Sequence, residues 1–255
     1  MPDIAVEHVT KQYDGKLVLK DLSFYFAAGG SYALMAPSGA GKTTLFRLLL
    51  GLEQPDNGTI RFFAAKEEVC LEDETSQTKL LLGRETQKET QCNNENHRCF
   101  DMAQDADRLQ GALQKQNIQH GSEIPREQVR FAAVFQEDRL CEGFGGAENL
   151  RLCIGGTKQA ARALFHLLLP EEDPNKPVFF LSGGQRRRVA LLRALFMPGA
   201  QILIMDEPFA GLDDASKQKA AALILEQKKH RTLLMSTHDK ADTVLLNLKQ
   251  VHLNG

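Results

Sequence analysis

The sequence predicts an α/β fold on a mostly parallel sheet, and three observations carry that expectation. The stretches "QILIMDEP" and "RTLLMSTHD" hold unbroken apolar runs, the composition of strands buried on both faces. Segments with apolar residues at helical spacing, "TTLFRLLLGL" and the stretch from Ala160 to Leu168, lie ahead of them. Finally "ALMAPSGAGKTTLF", Ala33 to Phe46, leaves an apolar run through a glycine-rich loop and enters a helical pattern. Buried strands alternating with helices place ligands at the carboxyl ends of the strands.

Taken in order, "IAVEHVTKQY" and "LVLKDLSFYF" alternate apolar and polar residues as half-buried strands do, with Asp14-Gly15 as the turn of an antiparallel start. "SYALMA" is a strand leading into the loop, and "TTLFRLLLGL" is a helix closed by Gly51 and the turn "PDNG". Over residues 66–128 the composition shifts to Gln, Glu, Asn, Asp and Thr, too little apolar surface for a core, which reads as an inserted polar segment. Within it Met102, Ala106, Leu109 and Leu113 share one helical face behind a capping Asp101. "VRFAAVFQED" supplies another strand. Residues 137–181 then read as a helical subdomain, where Ala160, Ala161, Leu164, Phe165 and Leu168 recur at helical spacing up to Pro170.

A chain of 255 residues is long enough for one large domain with an appendage. Its net charge of -2 gives no electrostatic footprint for nucleic acid. No run approaches the roughly 18–20 apolar residues needed to span a bilayer, and "MPDIAVEHVTKQYDGK" lacks a signal peptide's apolar stretch, so a cytosolic location is expected. Five scattered cysteines suit free thiols. Cys92, His97 and Cys99 have no second C-x-x-C pair to complete a zinc site.

The loop nearly spells the phosphate-binding pattern G-x-x-x-x-G-K-[ST], with Ala36 in place of the first glycine. In that reading Pro37, Ser38 and Ala40 continue the turn and Gly39 and Gly41 let the backbone approach phosphates. Lys42 adds positive charge, and Thr43, followed by Thr44, ligates Mg²⁺. Ala36 directly follows an extended strand, so a negative φ is expected there and the extra methyl is tolerated. Asp206 and Glu207 close a neighbouring buried strand, one carboxylate suited to the metal shell and the other to an attacking water; successive side chains of a strand point to opposite faces. Ser182-Gly183-Gly184-Gln185 forms a capping box at a second helix start. Arg186, Arg187 and Arg188 follow at that helix's positive end, where each costs about 0.3–1 kcal/mol unless an anion is near.

Together these stretches resemble the nucleotide-binding subunit of ATP-binding cassette (ABC) transporters, over nearly the whole chain apart from the polar segment. "APSGAGKTT" is similar to the Walker A motif, "VFQED" to the Q-loop, "LSGGQ" to the signature, "ILIMDE" to Walker B, "AGLD" to the D-loop and "STHD" to the H-loop, in the family's order. The resemblance implies a P-loop NTPase core of the ABC type, with a mostly parallel sheet, a small antiparallel β-subdomain and a helical subdomain. It implies ATP and Mg²⁺ as ligands. It makes Glu207 the general base, places Asp206 and Gln136 with Thr43 around Mg²⁺, sets His238 on the γ-phosphate and Tyr13 on the adenine. It assigns Ser182, Gly183, Gly184 and Gln185 to the nucleotide of a partner in an ATP-bound homodimer, with Asp213 coupling the two sites. It further implies integral membrane partner subunits, a place on the cytoplasmic face of the membrane, and for an importer a solute-binding protein. "VFQEDRL" and the short tail after His238, with no room for a C-terminal regulatory domain, look closest to the nitrate, sulfonate and taurine importers. The alternative in the same family is a soluble ATPase acting on nucleic acid or ribosomes, which the near-neutral charge and the single set of motifs disfavour.

Overall fold

Asp14 and Gly15 both take positive φ, 48° and 76°, the backbone a two-residue type I′ turn demands. They join β1 (Pro2–Tyr13) to β2 (Lys16–Phe26) in the expected antiparallel hairpin. The computed structural model describes residues 1–37, 39–65 and 121–253. β3 (Ser31–Met35) leads through the glycine-rich loop into α1 (Lys42–Leu49). β4 (Asn57–Ala64) then pairs antiparallel with β1, and β5 (Glu123–Ile124) with β4, giving a four-stranded sheet in the order β2-β1-β4-β5.

β5 corrects one expectation. The polar segment read over 66–128 ends sooner, because Phe62 pairs with Ile124 and Phe63 with Glu123. Just beyond, the Arg126 guanidinium donates to the carbonyls of Leu49 and Leu50, satisfying acceptors that the end of α1 leaves open. The chain accordingly divides at Ala65 and Gly121. The helix expected from Met102 to Leu113, and Cys92, His97 and Cys99, lie outside the described residues.

The second sheet is parallel throughout. β6 (Phe131–Val134), β7 (Ile202–Asp206), β8 (Thr232–Thr237), β3 and β9 (Lys249–His252) stand in that order. Every residue of β7 and β8 is buried, and alternation sorts them between two cores. Ile202, Ile204, Leu234 and Leu34 face a cluster with Leu45 and Phe46 of α1 and Ile4 and Val6 of β1. Leu203, Met205, Leu233 and Met235 face the other, which holds the remaining helices: α2 (Gly146–Ile154), α3 (Lys158–His166), α4 (Gly183–Leu195), α5 (Asp214–Lys228) and α6 (Lys240–Leu245). The parallel sheet is thus the middle layer. Ala161, Phe165 and Leu168 of the helical repeat are buried as expected, whereas Ala160 is exposed. The strand ending in Asp206 is not beside the loop strand, as the sequence suggested: β8 lies between β7 and β3, so any link from the loop to Asp206 passes over the end of β8.

Candidate functional site

The loop's backbone is built for an anion. Gly39 and Gly41 take φ of 79° and 88°, while Ala36 is absent from the positive-φ residues, so its methyl adds no left-handed strain, as expected. Gly41 is the N-cap of α1. The left-handed φ opposes a side chain there, and an added Cβ would force Leu19 Cδ2 to move. The helix has no side-chain cap and no acidic residue in its first turn, so its N–H groups and positive end are left for a ligand. Lys42 is buried, and its ammonium donates to the carbonyls of Ala36 (2.7 Å) and Pro37 (3.1 Å), which holds the charge against the loop. Ser38 lies outside the described residues.

Across the end of β8 the loop reaches Asp206. The Thr43 hydroxyl donates to Asp206 Oδ2 at 2.6 Å, and the Ser236 hydroxyl donates to Oδ1, so both oxygens of this buried carboxylate are fixed. Glu207 has left the strand: its φ is 49°, a conformation that costs a residue with a Cβ about 1–2 kcal/mol. Its N–H is held by Ser236, through Oγ at 3.0 Å and the carbonyl oxygen at 3.2 Å. The two carboxylates therefore differ in setting, Asp206 sealed in and the Glu207 side chain 28% exposed. His238 Nδ1 stands 3.7 Å from Glu207 Oε1 on an exposed side chain.

Other expected residues join this centre less directly. Tyr13 is partly exposed, and its hydroxyl donates to Glu53 with Thr44 of α1 as a second hydrogen-bond neighbour. Burial first, then the Glu53 carboxylate, raises its pKa above the usual tyrosine value. Gln136 is exposed just after β6. Ser182 and Gln185 close the capping box, Ser182 N–H to Gln185 Oε1 at 2.7 Å and Gln185 N–H to Ser182 Oγ at 3.2 Å, and have no hydrogen bond to Lys42, Thr43, Asp206 or Glu207. Asp213 caps α5 by accepting from Ser216 N–H and Oγ, which lowers its pKa. Gly184 packs so tightly that an added Cβ would sit 2.6 Å from the Gly211 carbonyl oxygen, which brings the "LSGGQ" and "AGLD" stretches together.

The family model described as "ABC transporter" matches residues 19–123 and 101–210. The chain belongs to the ABC transporter family. Among its relatives is the Nod factor export ATP-binding protein I of Paraburkholderia xenovorans, 31% identical over 93% of this chain and 64% of its own length. Another is the spermidine/putrescine import ATP-binding protein of Spiroplasma citri, 27% identical over 98% of this chain and 59% of its own length. This chain therefore spans about three-fifths of those relatives. In fold it resembles a dimeric ATP-binding cassette in a post-hydrolysis state bound to ADP and Pi, at TM-score 0.66, 21% identity, and coverage of 98% of this chain and 94% of that one. It also resembles a bacterial ABC exporter with ATP bound, at TM-score 0.65, 21% identity, and coverage of 99% of this chain and 37% of that one. No helix among the described residues is long and apolar enough to cross a membrane.

In this ABC-family chain the donor set fits a nucleotide phosphate with a bound divalent cation better than a free-standing metal. No group of three or more His, Cys, Asp or Glu among the described residues is placed to hold an ion. Asp206 and Thr43 offer hard oxygen donors beside an uncapped helix start, and Mg²⁺ favours one or two protein oxygens with phosphate oxygens completing its shell.

Two residues of the site go unassigned in the sequence. Ser236 bridges Asp206 and Glu207, and its signal is the pair of polar residues that closes β8 after Leu233, Leu234 and Met235. Arg187 is the second. The sequence suggested an anion beside the arginine triplet, and within the chain the three guanidiniums reach backbone carbonyls, Arg186 that of Leu181, Arg188 that of Leu168 and Arg187 those of Asp206 and Glu207, while Arg187 also pairs with the Asp138 carboxylate. Carbonyl dipoles at the ends of neighbouring elements and the Asp138 carboxylate offset the unfavourable helix end.

Proposed function

We propose that this chain is the ATP-binding and ATP-hydrolysing subunit of an ABC transporter, energising solute movement through separate membrane subunits. The observation that carries the reading is the 2.6 Å hydrogen bond from Thr43 to Asp206, which joins the phosphate loop to the strand end bearing Glu207. Lys42 and the N–H groups at the start of α1 hold the β- and γ-phosphates, and Tyr13 stacks on the adenine. Thr43, Asp206 and Gln136 would hold Mg²⁺, which when bound would supply neutralising charge for the transferred phosphoryl group. Glu207 accepts the proton of a water whose oxygen bonds to the γ-phosphorus as the bond to the β-phosphate oxygen breaks, leaving ADP and phosphate. His238, beside that carboxylate, contacts the γ-phosphate.

Ser182, Gly183, Gly184 and Gln185 face the nucleotide of a second copy in an ATP-bound homodimer, and Asp213, two residues after the Gly211 that Gly184 packs against, couples the two sites. Membrane subunits dock on Gln136 and the helical region from residue 137 to 177, placing the chain on the cytoplasmic face of a membrane. A solute-binding protein belongs to the import form of this reading, which includes the nitrate, sulfonate and taurine type. The named relatives include an exporter and an importer, so the direction is open to experiment.

The test is Glu207→Gln. It is expected to bind Mg-ATP with unchanged affinity, accumulate as a closed dimer on gel filtration and lose at least about 100-fold in turnover. Wild-type turnover would refute the base assignment. Copurification of polytopic membrane proteins supports the transport role, and ribosomes or DNA in their place would favour the soluble alternative.

A further inference from the structure

Arg187 lies in the first turns of α4 with 3% of its surface exposed. Its guanidinium spans two strand ends. Nη2 donates to the Asp206 and Glu207 carbonyls, each at 2.7 Å, at the end of β7. Nη1 donates to the Phe135 carbonyl, to that of Gln136 at 3.4 Å and to Asp138 Oδ1 at 3.2 Å, in the loop after β6. Asp138 is the carboxylate ion-paired with this buried cation, and the Arg187 Nε has no hydrogen-bond partner. A buried charge is tolerated when its donors are met, and here backbone carbonyls meet most of them.

We propose that Arg187 is a positioning residue that fixes the Glu207 carboxylate and locks it to the loop bearing Gln136. This rests on the reading of Glu207 as the base. A glutamate with φ of 49° persists only where its surroundings over-determine it. Ser236 restrains the N–H side of that residue and Arg187 the carbonyl side. Without the guanidinium the peptide after Glu207 is released, the backbone relaxes toward ordinary φ and the carboxylate swings away from its working position. Asp138 and the Phe135 and Gln136 carbonyls orient the same guanidinium from the other side, so displacement of the Gln136 loop is passed to Glu207 through one rigid planar group.

The test measures steady-state ATP hydrolysis, ATP affinity and thermal melting for Arg187→Met, Arg187→Lys, Asp138→Asn, the Arg187→Met/Asp138→Asn pair and Glu207→Gln. Arg187→Met is expected to lower kcat by about 10- to 100-fold with ATP affinity changed less than about threefold, and Arg187→Lys to recover part of the loss. Asp138→Asn, which keeps the guanidinium, is expected to lower kcat about threefold and to add nothing in the Arg187→Met background. Should Arg187→Met not fold, Asp138→Asn carries the test, and wild-type kcat there overturns the proposal. Independent, multiplying effects in the double variant, or equal losses of affinity and kcat, also overturn it. Full turnover by Glu207→Gln would sink the base assignment and this proposal together. An inactive Glu207→Gln beside a wild-type kcat for Arg187→Met would sink the positioning role alone.

Discussion

Gly41 and Ala36 show how one loop makes opposite demands on two small residues. At Gly41, φ is 88°, which opposes a methyl, and an added Cβ would also force Leu19 Cδ2 to move. At Ala36, φ is not positive and the side chain packs against the core that holds α1. Gly41→Ala is expected to cost at least about 1–2 kcal/mol and to weaken ATP binding, because the turn that aims the N–H groups must open. Ala36→Gly is expected to leave ATP affinity within about twofold and to lower stability by about 0.5–1 kcal/mol, through the larger entropy of the unfolded chain. Thermal melts and nucleotide titration separate the two. Unchanged ATP affinity in Gly41→Ala would show that the left-handed turn is dispensable for binding. The negative φ at Ala36 was legible because an extended strand precedes it. The opposite fates of Asp206 and Glu207 were legible only in part, since strand alternation gives opposite faces but says nothing of the left-handed turn at Glu207.

Between elements, one cluster ties the helix capped by Asp213 to the turn that carries His238. Lys217 of α5 reaches Asp239 Oδ2 at 2.9 Å and the buried Asp242 carboxylate, and Asp242 Oδ2 accepts from the Thr237 hydroxyl at 2.6 Å. The hydrogen bond to Asp242 raises the Lys217 pKa above the usual lysine value, and the hydrogen bond from Lys217 lowers that of Asp239 below the usual aspartate value. The raised lysine contributes stability that is full below its unfolded pKa and lost as pH rises through the folded one. The depressed aspartate contributes stability present above about pH 3.9 and lost as pH falls through its folded value. Lys217→Met is therefore expected to melt below the wild type by a gap that is flat from about pH 5 to 9 and shrinks below about pH 4. A gap that widened in acid would contradict the pairing. Elements of this size were readable where a period had room to repeat, as in β1, β2, β7, β8 and α1. The two residues of β5 and the four of β9 are too short for alternation to register, so neither was visible before the sheets were assembled.

At the scale of the molecule, motif order suggests which residues share a site, and topology brings Thr43, Asp206 and Glu207 together through Ser236. No sequence period says that β8 stands between β3 and β7, which is why Ser236 can clamp both acidic residues from the intervening strand. Long-range pairing likewise decides where the polar segment ends. The Ala64 N–H donates to the Ser122 carbonyl at 2.9 Å, directly beyond the Phe63–Glu123 pair, so Ala65 and Gly121 stand at the open end of an antiparallel ladder. Such a ladder can be closed by a short hairpin loop whose residues tolerate positive φ, and Asn-Gly is the pair best suited to it. Replacing residues 66–120 by Asn-Gly between Ala65 and Gly121 is thus expected to keep β4 and β5 paired and Arg126 on the end of α1. Thr43, Asp206 and Glu207 would be untouched, with ATP affinity and turnover within about threefold of the full chain. A cut extended to residue 128 would remove β5 and Arg126, leaving the Leu49 and Leu50 carbonyls without that donor, and is expected to destabilise the fold by about 1–3 kcal/mol more than the shorter deletion. Circular dichroism melts and ATPase assays on the two deletions decide it: equal stability for both would mean that β5 and Arg126 add nothing to the sheet they join.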